Sequence, residues 1–296
     1  GMLESYSRDL SRSKSGEIWS RHGMMGKLSI LDGEKVSLIT DPAMSAQAWR
    51  NWRSRVWPNG KGAAWSLVNQ EIWLLAGGNW KMEVAARKGR ERLDVSPLGD
   101  GRLLVLSRDR MEIYDPASKR WEVSRETNEN EIGSYRELIP GFGGEVWIAG
   151  EAGVGRLSEK GEWETRSSRD LGMDHLDHLE PCMGGQVVVS GSVDGRRGVL
   201  QWSGSGLKLI ARDLGPGSFG WRGPEGAVWL LDGRNLYRVT GQRKEQIPRL
   251  GRLSSEILSV VTEPDGGFWL GTVDALIHRK PNLWSTPAGA ADVNEL

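Results

Sequence analysis

Asp265-Gly266-Gly267-Phe268-Trp269-Leu270-Gly271-Thr272 decides how this chain is read. A turn of Asp and Gly leads into a short apolar strand. A break of small residues follows, and Ala275-Leu276-Ile277-His278-Arg279 then reads as a second strand. Weaker copies of this unit precede it. Their cores are Gly16-Glu17-Ile18-Trp19, Gly62-Ala63-Ala64-Trp65, Gly101-Arg102-Leu103-Leu104, Gly144-Glu145-Val146-Trp147, Gly185-Gln186-Val187-Val188 and Gly226-Ala227-Val228-Trp229. Anchored on positions 19, 65, 104, 147, 188, 229 and 269, the spacings are 46, 39, 43, 41, 41 and 40.

Each unit reads as four strands. In the third, Arg92 to Ser96, Arg102 to Ser107, Arg110 to Tyr114 and Arg120 to Val123 are separated by turn material at Pro97-Leu98-Gly99-Asp100-Gly101 and Asp115-Pro116-Ala117-Ser118. The fourth repeats the order with Ser134 to Ile139, Glu145 to Ile148, Gly153 to Leu157 and Glu162 to Thr165. No helix-period stretch of ten or more residues interrupts the series. Seven four-stranded units of this length predict an all-β, seven-bladed β-propeller. The sequence predicts one domain over 1–296, with blades at 4–42, 45–88, 90–126, 131–169, 172–212, 215–248 and 254–288. One blade cannot bury both faces of its sheet, but a ring of seven can. The anchor Trp residues are therefore expected as packing between blades. The second unit is the least regular and carries extra Trp at 49, 52, 57, 73 and 80.

Composition agrees and narrows the function classes. Forty Gly and 15 Trp against three Phe fit many turns and short strands. With 39 basic and 39 acidic residues mixed along the chain, there is no electrostatic footprint for nucleic acid or an anionic membrane. One cysteine, Cys182, excludes an intrachain disulfide and reads as a structural thiol. No run approaches the roughly 18 apolar residues of a membrane helix. Gly1 ahead of Met2 reads as a scar of tag removal, so the absence of a leader here carries little weight.

The repeat pattern Asp-x-Gly-x-hydrophobic-Trp-hydrophobic-Gly-Thr-x-x-Gly-Leu belongs to the two-component regulator propeller family. Asp265 to Leu276 resembles it closely, with Ala275 where the family has Gly. Gly144-Glu145-Val146-Trp147-Ile148-Ala149-Gly150-Glu151-Ala152-Gly153-Val154 resembles it in part. The other five units keep only the Gly-x-hydrophobic-hydrophobic core. Family repeats form the extracytoplasmic sensing part of many bacterial histidine kinases. The resemblance implies a non-enzymatic sensory propeller outside the cytoplasm, in the periplasm or beyond, either an isolated sensor portion or a stand-alone relative. It also implies a small polar ligand such as a carbohydrate, and signalling by dimerisation or a protein partner. The chain is similar, more distantly, to the streptogramin lyases, through Gly155-Arg156-Leu157 and Ile113-Tyr114-Asp115-Pro116.

Candidate chemistry follows from the architecture. In a propeller the loop between strands two and three shares a face with the connections between blades, where ligands commonly bind. Those loops hold Arg21 and His22, Arg108 and Asp109, Glu151, Asp194, Asp232 and Asp274. The plain reading of these acids is turn chemistry, which Asp194-Gly195 and Asp232-Gly233 fit. The functional reading is a ring of hydrogen-bonding groups at a channel mouth. The starts of the first strands add Trp49, Trp52, Tyr135, His175 and Trp221 as flat apolar partners. For the alternative of an enzyme in the channel, His22, His175 and Glu151 are the candidate bases. A third alternative is a protein-interaction scaffold, marked by a broad apolar patch.

Other motifs point nowhere. His175 and His178 lie three apart on a predicted strand, so they face opposite ways and predict no metal site. Gly215-Pro216-Gly217-Ser218-Phe219-Gly220 fits G-x-G-x-x-G but lacks the strand before and helix after, and reads as a connection between blades. There is no G-x-S-x-G element, Ca²⁺ loop or Cys pair, and no cofactor or catalytic residue is predicted.

Overall fold

The structure, a computed structural model, describes residues 7–22, 26–33, 35–41, 55–60, 62–89, 91–126, 131–203, 206–233, 235–247, 256–273 and 275–280. Trp49, Trp52 and Asp274 lie outside the described residues.

The strands fall into seven antiparallel sheets, each built from consecutive strands. The first holds β1 (Ser7–Arg12), β2 (Ile18–His22), β3 (Lys27–Asp32) and β4 (Lys35–Thr40); the second β5 (Val56–Pro58), β6 (Ala64–Val68), β7 (Glu71–Ala76) and β8 (Asn79–Val84). The third holds β9 (Arg92–Pro97), β10 (Leu103–Ser107), β11 (Arg110–Asp115) and β12 (Arg120–Glu126); the fourth β13 (Tyr135–Pro140), β14 (Val146–Gly150), β15 (Gly153–Leu157) and β16 (Trp163–Ser167). The fifth is β17 (His175–Cys182), β18 (Gln186–Val193), β19 (Arg196–Ser203) and β20 (Gly206–Leu214); the sixth β21 (Phe219–Arg222), β22 (Val228–Asp232), β23 (Asn235–Thr240) and β24 (Arg243–Gln246). Three strands are described in the seventh: β25 (Ile257–Thr262), β26 (Phe268–Thr272) and β27 (Leu276–Arg279). The chain is a seven-bladed β-propeller. Its helical content among the described residues is a single 3-10 turn at Pro224–Gly226.

Burial explains the order of strands within a blade. The second strands β6, β10 and β14 are buried at every position, whereas the fourth strands β12 and β24 are mostly or wholly exposed. Each sheet thus runs from the axis outward. Among the described residues the core falls into six apolar clusters, and each joins neighbouring blades. Trp65 of the second blade packs with Val95 and Leu103 of the third, and Trp147 of the fourth packs with Leu179 and Trp202 of the fifth. The ring closes where β1 packs on β25 and β26. Trp19, Trp65, Trp147 and Trp229 are all buried, as inter-blade packing requires. Trp269 is the exception: it is half-buried, stacks on His278 with ring centroids 3.9 Å apart, and donates Nε1–H to Glu263.

One local device repeats in every blade. The hairpin between strands one and two carries a glycine at positive φ: Gly16, Gly62, Gly101, Gly144, Gly185, Gly226 and Gly266, between 66° and 93°. In the first blade the Gly16 N–H donates to the Ser13 carbonyl and the Ser13 N–H to the Glu17 carbonyl. This is a type I turn closed by a left-handed residue, where glycine costs least.

Candidate functional site

Counting seven residues back from each turn glycine gives Asp9, Arg55, Asp94 and Glu137 in the first four blades. The same count gives His178, Phe219 and Ser259 in the last three. All seven line one cavity of about 950 Å³ on the propeller axis. Five of the innermost strands have a register shift next to this position. The pairing skips one residue between Ser7 and Asp9, Arg92 and Asp94, Tyr135 and Glu137, Leu176 and His178, and Ile257 and Ser259. A bulge bends the strand and re-aims its side chains. Here the skipped Leu93, Arg136 and Leu258 line the cavity together with the ring residue that follows them.

The ring is strongly polar on one side. Arg55 pairs with Glu137 and lies 4.0 Å from Asp94. Burial works against its charge, but Glu137, Asp94 and Asp9 outweigh that and hold the guanidinium above its ordinary value. Asp94 is fixed by three further donors: the Val95 N–H at 2.9 Å, the Leu138 N–H at 3.1 Å and Trp57 Nε1 at 3.3 Å. Even so, burial pushes its carboxyl up to about 6, with Arg55 opposing and Glu137 assisting.

The opposite side carries an imidazole and a buried carboxyl. Glu180, two residues beyond His178 on β17, accepts a hydrogen bond from Thr262 Oγ1 at 3.2 Å. Burial pushes it up to about 8 against that bond. His178 lies with its ring 4.8 Å from Phe219, and its Nε2 is buried without a hydrogen-bond partner, 3.9 Å from Glu180. Burial lowers its pKa, so the imidazole is neutral at pH 7. A third of the side chain still faces the lumen. Cys182 follows in the apolar packing, its thiol pushed up to about 12 by burial, which makes it inert.

The cavity extends along the axis to the face that carries the turns between strands one and two. Lys14, Phe142, Gly143, Glu159 and Pro264 line that end, with the Arg12 guanidinium 4.8 Å above the Phe142 ring. The residues expected from sequence sit mainly on the other face. Of those described, Arg21 alone lines the cavity, held by Asp41 through Nε at 2.6 Å. His22 bonds Ser29 Oγ at 2.6 Å inside its blade. Arg108 and Glu151 are exposed in hairpin loops. Asp194, at φ 51°, forms a two-residue turn with Gly195. Asp232 Oδ1 accepts bonds from the Gly215 N–H and Ser218 Oγ, both at 2.8 Å, and so ties down the connection into β21. Tyr135 and Trp221 are 1% and 0% exposed; they pack between blades and offer no surface to a ligand. His175 is exposed and paired with Asp177 at 2.7 Å. The alternation argument for His175 and His178 is corrected by the bulge at Asp177, which breaks the regular period between them. Among the described residues, no three His, Cys, Asp or Glu group together as metal ligands. For an enzyme, Asp94, His178 and Glu180 line the cavity and have shifted pKa values, whereas His22, His175 and Glu151 do not line it.

No sequence-family model matches this chain. No curated protein matches it in sequence either. Solved structures match over nearly its whole length. Virginiamycin B lyase from Staphylococcus aureus superposes with a TM-score of 0.65 at 11% identity, covering 93% of this chain and 94% of the enzyme. YCF48 from Cyanidioschyzon merolae gives 0.63 at 14% identity, covering 93% and 96%. The extracellular domain of the putative one-component system BT4673 from B. thetaiotaomicron gives 0.58 at 13% identity. There this chain is covered over 95% and spans 39% of the larger protein. At these identities the likeness is one of fold.

Proposed function

We propose that this propeller is a ligand-binding, sensory module acting outside the cytoplasm, which takes a small polar ligand into its axial cavity. The observation that carries the reading is the axial ring. Seven equivalent positions hold acidic, basic, imidazole, aromatic and hydroxyl side chains around about 950 Å³ of space. A concave space of this size with a few convergent polar groups and aromatic walls suits a small polar ligand. The repeat at 265–276 and the likeness to the extracellular domain of BT4673 favour sensing over catalysis. The ligand class is a carbohydrate or a molecule of similar size and polarity.

The test is a thermal-shift panel of oligosaccharides, peptides and amines on the wild type and on Asp94→Asn. A ligand bound only by the folded chain adds about 2.7 kcal/mol at a hundredfold excess over Kd. The expected outcome is a rise with one class that Asp94→Asn abolishes. A rise that Asp94→Asn leaves intact places the site elsewhere and sinks the reading.

A second reading rests on His178 and Glu180. A neutral imidazole 3.9 Å from a carboxyl held protonated is a base beside an acid in the channel wall. That arrangement, with the likeness to virginiamycin B lyase, supports a lyase or hydrolase. Incubation with virginiamycin B, followed by chromatography and fragment-ion mass spectrometry, tests that substrate, because opening a ring by elimination leaves the intact mass unchanged whereas hydrolysis adds one water. No change in retention time, intact mass or fragment ions after prolonged incubation removes that activity.

A further inference from the structure

We propose that the narrow middle of the axial cavity binds an organic cation: an ammonium group carried on an aromatic or alkyl body. This rests on the ligand-binding reading above and specifies its ligand. Among the described residues, acids outnumber bases in the middle layer. Asp94, Glu137 and Glu180, which stands two residues below His178, give three carboxyls beside Asp9, which has a partner of its own. Arg55 is the one described guanidinium among them, drawn to Glu137 and Asp94. The other cations of the cavity are placed elsewhere. Arg12 and Lys14 lie at the turn-side end, Arg21 is bound to Asp41, and Arg136 donates from Nη1 to the Leu176 carbonyl at 3.1 Å.

Like carboxyls gathered where water is scarce repel one another, and some stay protonated unless a cation enters. Asp94 and Glu180 are the two that burial holds up, at about 6 and about 8. An entering cation would let both ionise. The walls suit an organic cation. Trp57 and Phe219 line the lumen from β5 and β21, the Trp57 ring with the Arg55 guanidinium 5.7 Å from its centroid, and aromatic faces attract cations. The neutral His178 ring lines the same layer and adds no positive charge to it. A bare metal ion fits less well. No three ligating side chains are grouped among the described residues, and the cavity of about 950 Å³ far exceeds one ion.

The experiment uses three probes of one shape: 2-phenylethylammonium, neutral 2-phenylethanol and anionic phenylacetate, with spermidine as an alkyl cation. Each is titrated calorimetrically into the full chain at pH 5.5, 7 and 8.5. The cations are expected to bind and the neutral and anionic probes to fail. Affinity for the cations should rise with pH as Asp94 and Glu180 ionise, the other charged or titratable groups facing them being Asp9, Arg55, Glu137 and His178. Glu180→Gln should weaken binding at pH 8.5 on the order of tenfold and flatten the upper part of the pH dependence. Should that variant fold poorly, the wild-type pH series and the charge series carry the same test. Equal binding of 2-phenylethanol, or cation affinity that does not change with pH, overturns the proposal. If maltotriose binds and every amine fails, the inference falls and the ligand-binding reading stands. If neither sugars nor amines bind, both fall.

Discussion

Two sets of seven positions in this molecule share one register and differ in every other respect. The turn position is glycine in all seven blades, from Gly16 to Gly266. The axial position, seven residues earlier, runs Asp, Arg, Asp, Glu, His, Phe, Ser. The turn is fixed by backbone geometry, which is the same in each blade and admits one cheap answer. In five blades a bulge beside the axial position re-aims its side chain toward the lumen. Uniformity in a repeat therefore marks what the scaffold needs, and variety marks what faces the lumen.

The comparison breaks or sharpens under substitution. The largest effect is expected from Trp221→Ala. Trp221 is wholly buried and meets Phe268 edge-on at 5.4 Å, so the loss should be about 3–5 kcal/mol in denaturant unfolding. A loss below about 1 kcal/mol would show that this position belongs with the axis and not with the packing. Next comes Gly16→Ala. A Cβ there meets nothing within 4 Å, so the cost is that of φ +93° alone, on the order of 1–3 kcal/mol. An unchanged stability would break the claim that the turns impose the repeat.

A smaller effect separates the axis from both. Glu180 binds its proton more tightly folded than unfolded. It contributes stability fully at low pH and loses it as pH rises from the ordinary carboxylate range through about 8. The melting temperature of the wild type should fall across that window, and Glu180→Gln should flatten the fall. Parallel curves for the two proteins would mean that Glu180 is ionised and paired at neutral pH. The smallest effect is expected from Glu151→Ala on the exposed hairpin between β14 and β15, within about 0.5 kcal/mol and without change in ligand response. A lost response there would return the site to the face of those hairpins.

These differences explain what could be read from the chain alone. The blade period was legible because the turn glycines and the buried second strands must recur, and Gly144-Glu145-Val146-Trp147 carries both. The axial site was hidden because Arg55, Asp94, Glu137 and His178 have no common chemistry to align. The bulges hid it further. One extra residue before Asp9, Asp94, Glu137, His178 and Ser259 breaks the period of two that marks a half-buried strand. Counting back from the turn glycine was the signal available. Acids such as Asp194 and Asp232 drew notice because they recur in loops, and their bonds and dihedrals there are those of turns. Trp221 and Tyr135 start first strands, yet an aromatic of that size gains more from a neighbouring blade than from an open channel.

The bulge has a consequence for descent. Because the residue that follows it answers to no packing partner in its own ladder, a single codon can rewrite it while the register of the blade stays as it was. Five such codons spell most of the interior of the ring. A lineage could exchange one cargo for another by point mutation at 9, 94, 137, 178 and 259, keeping its architecture while its diet changes.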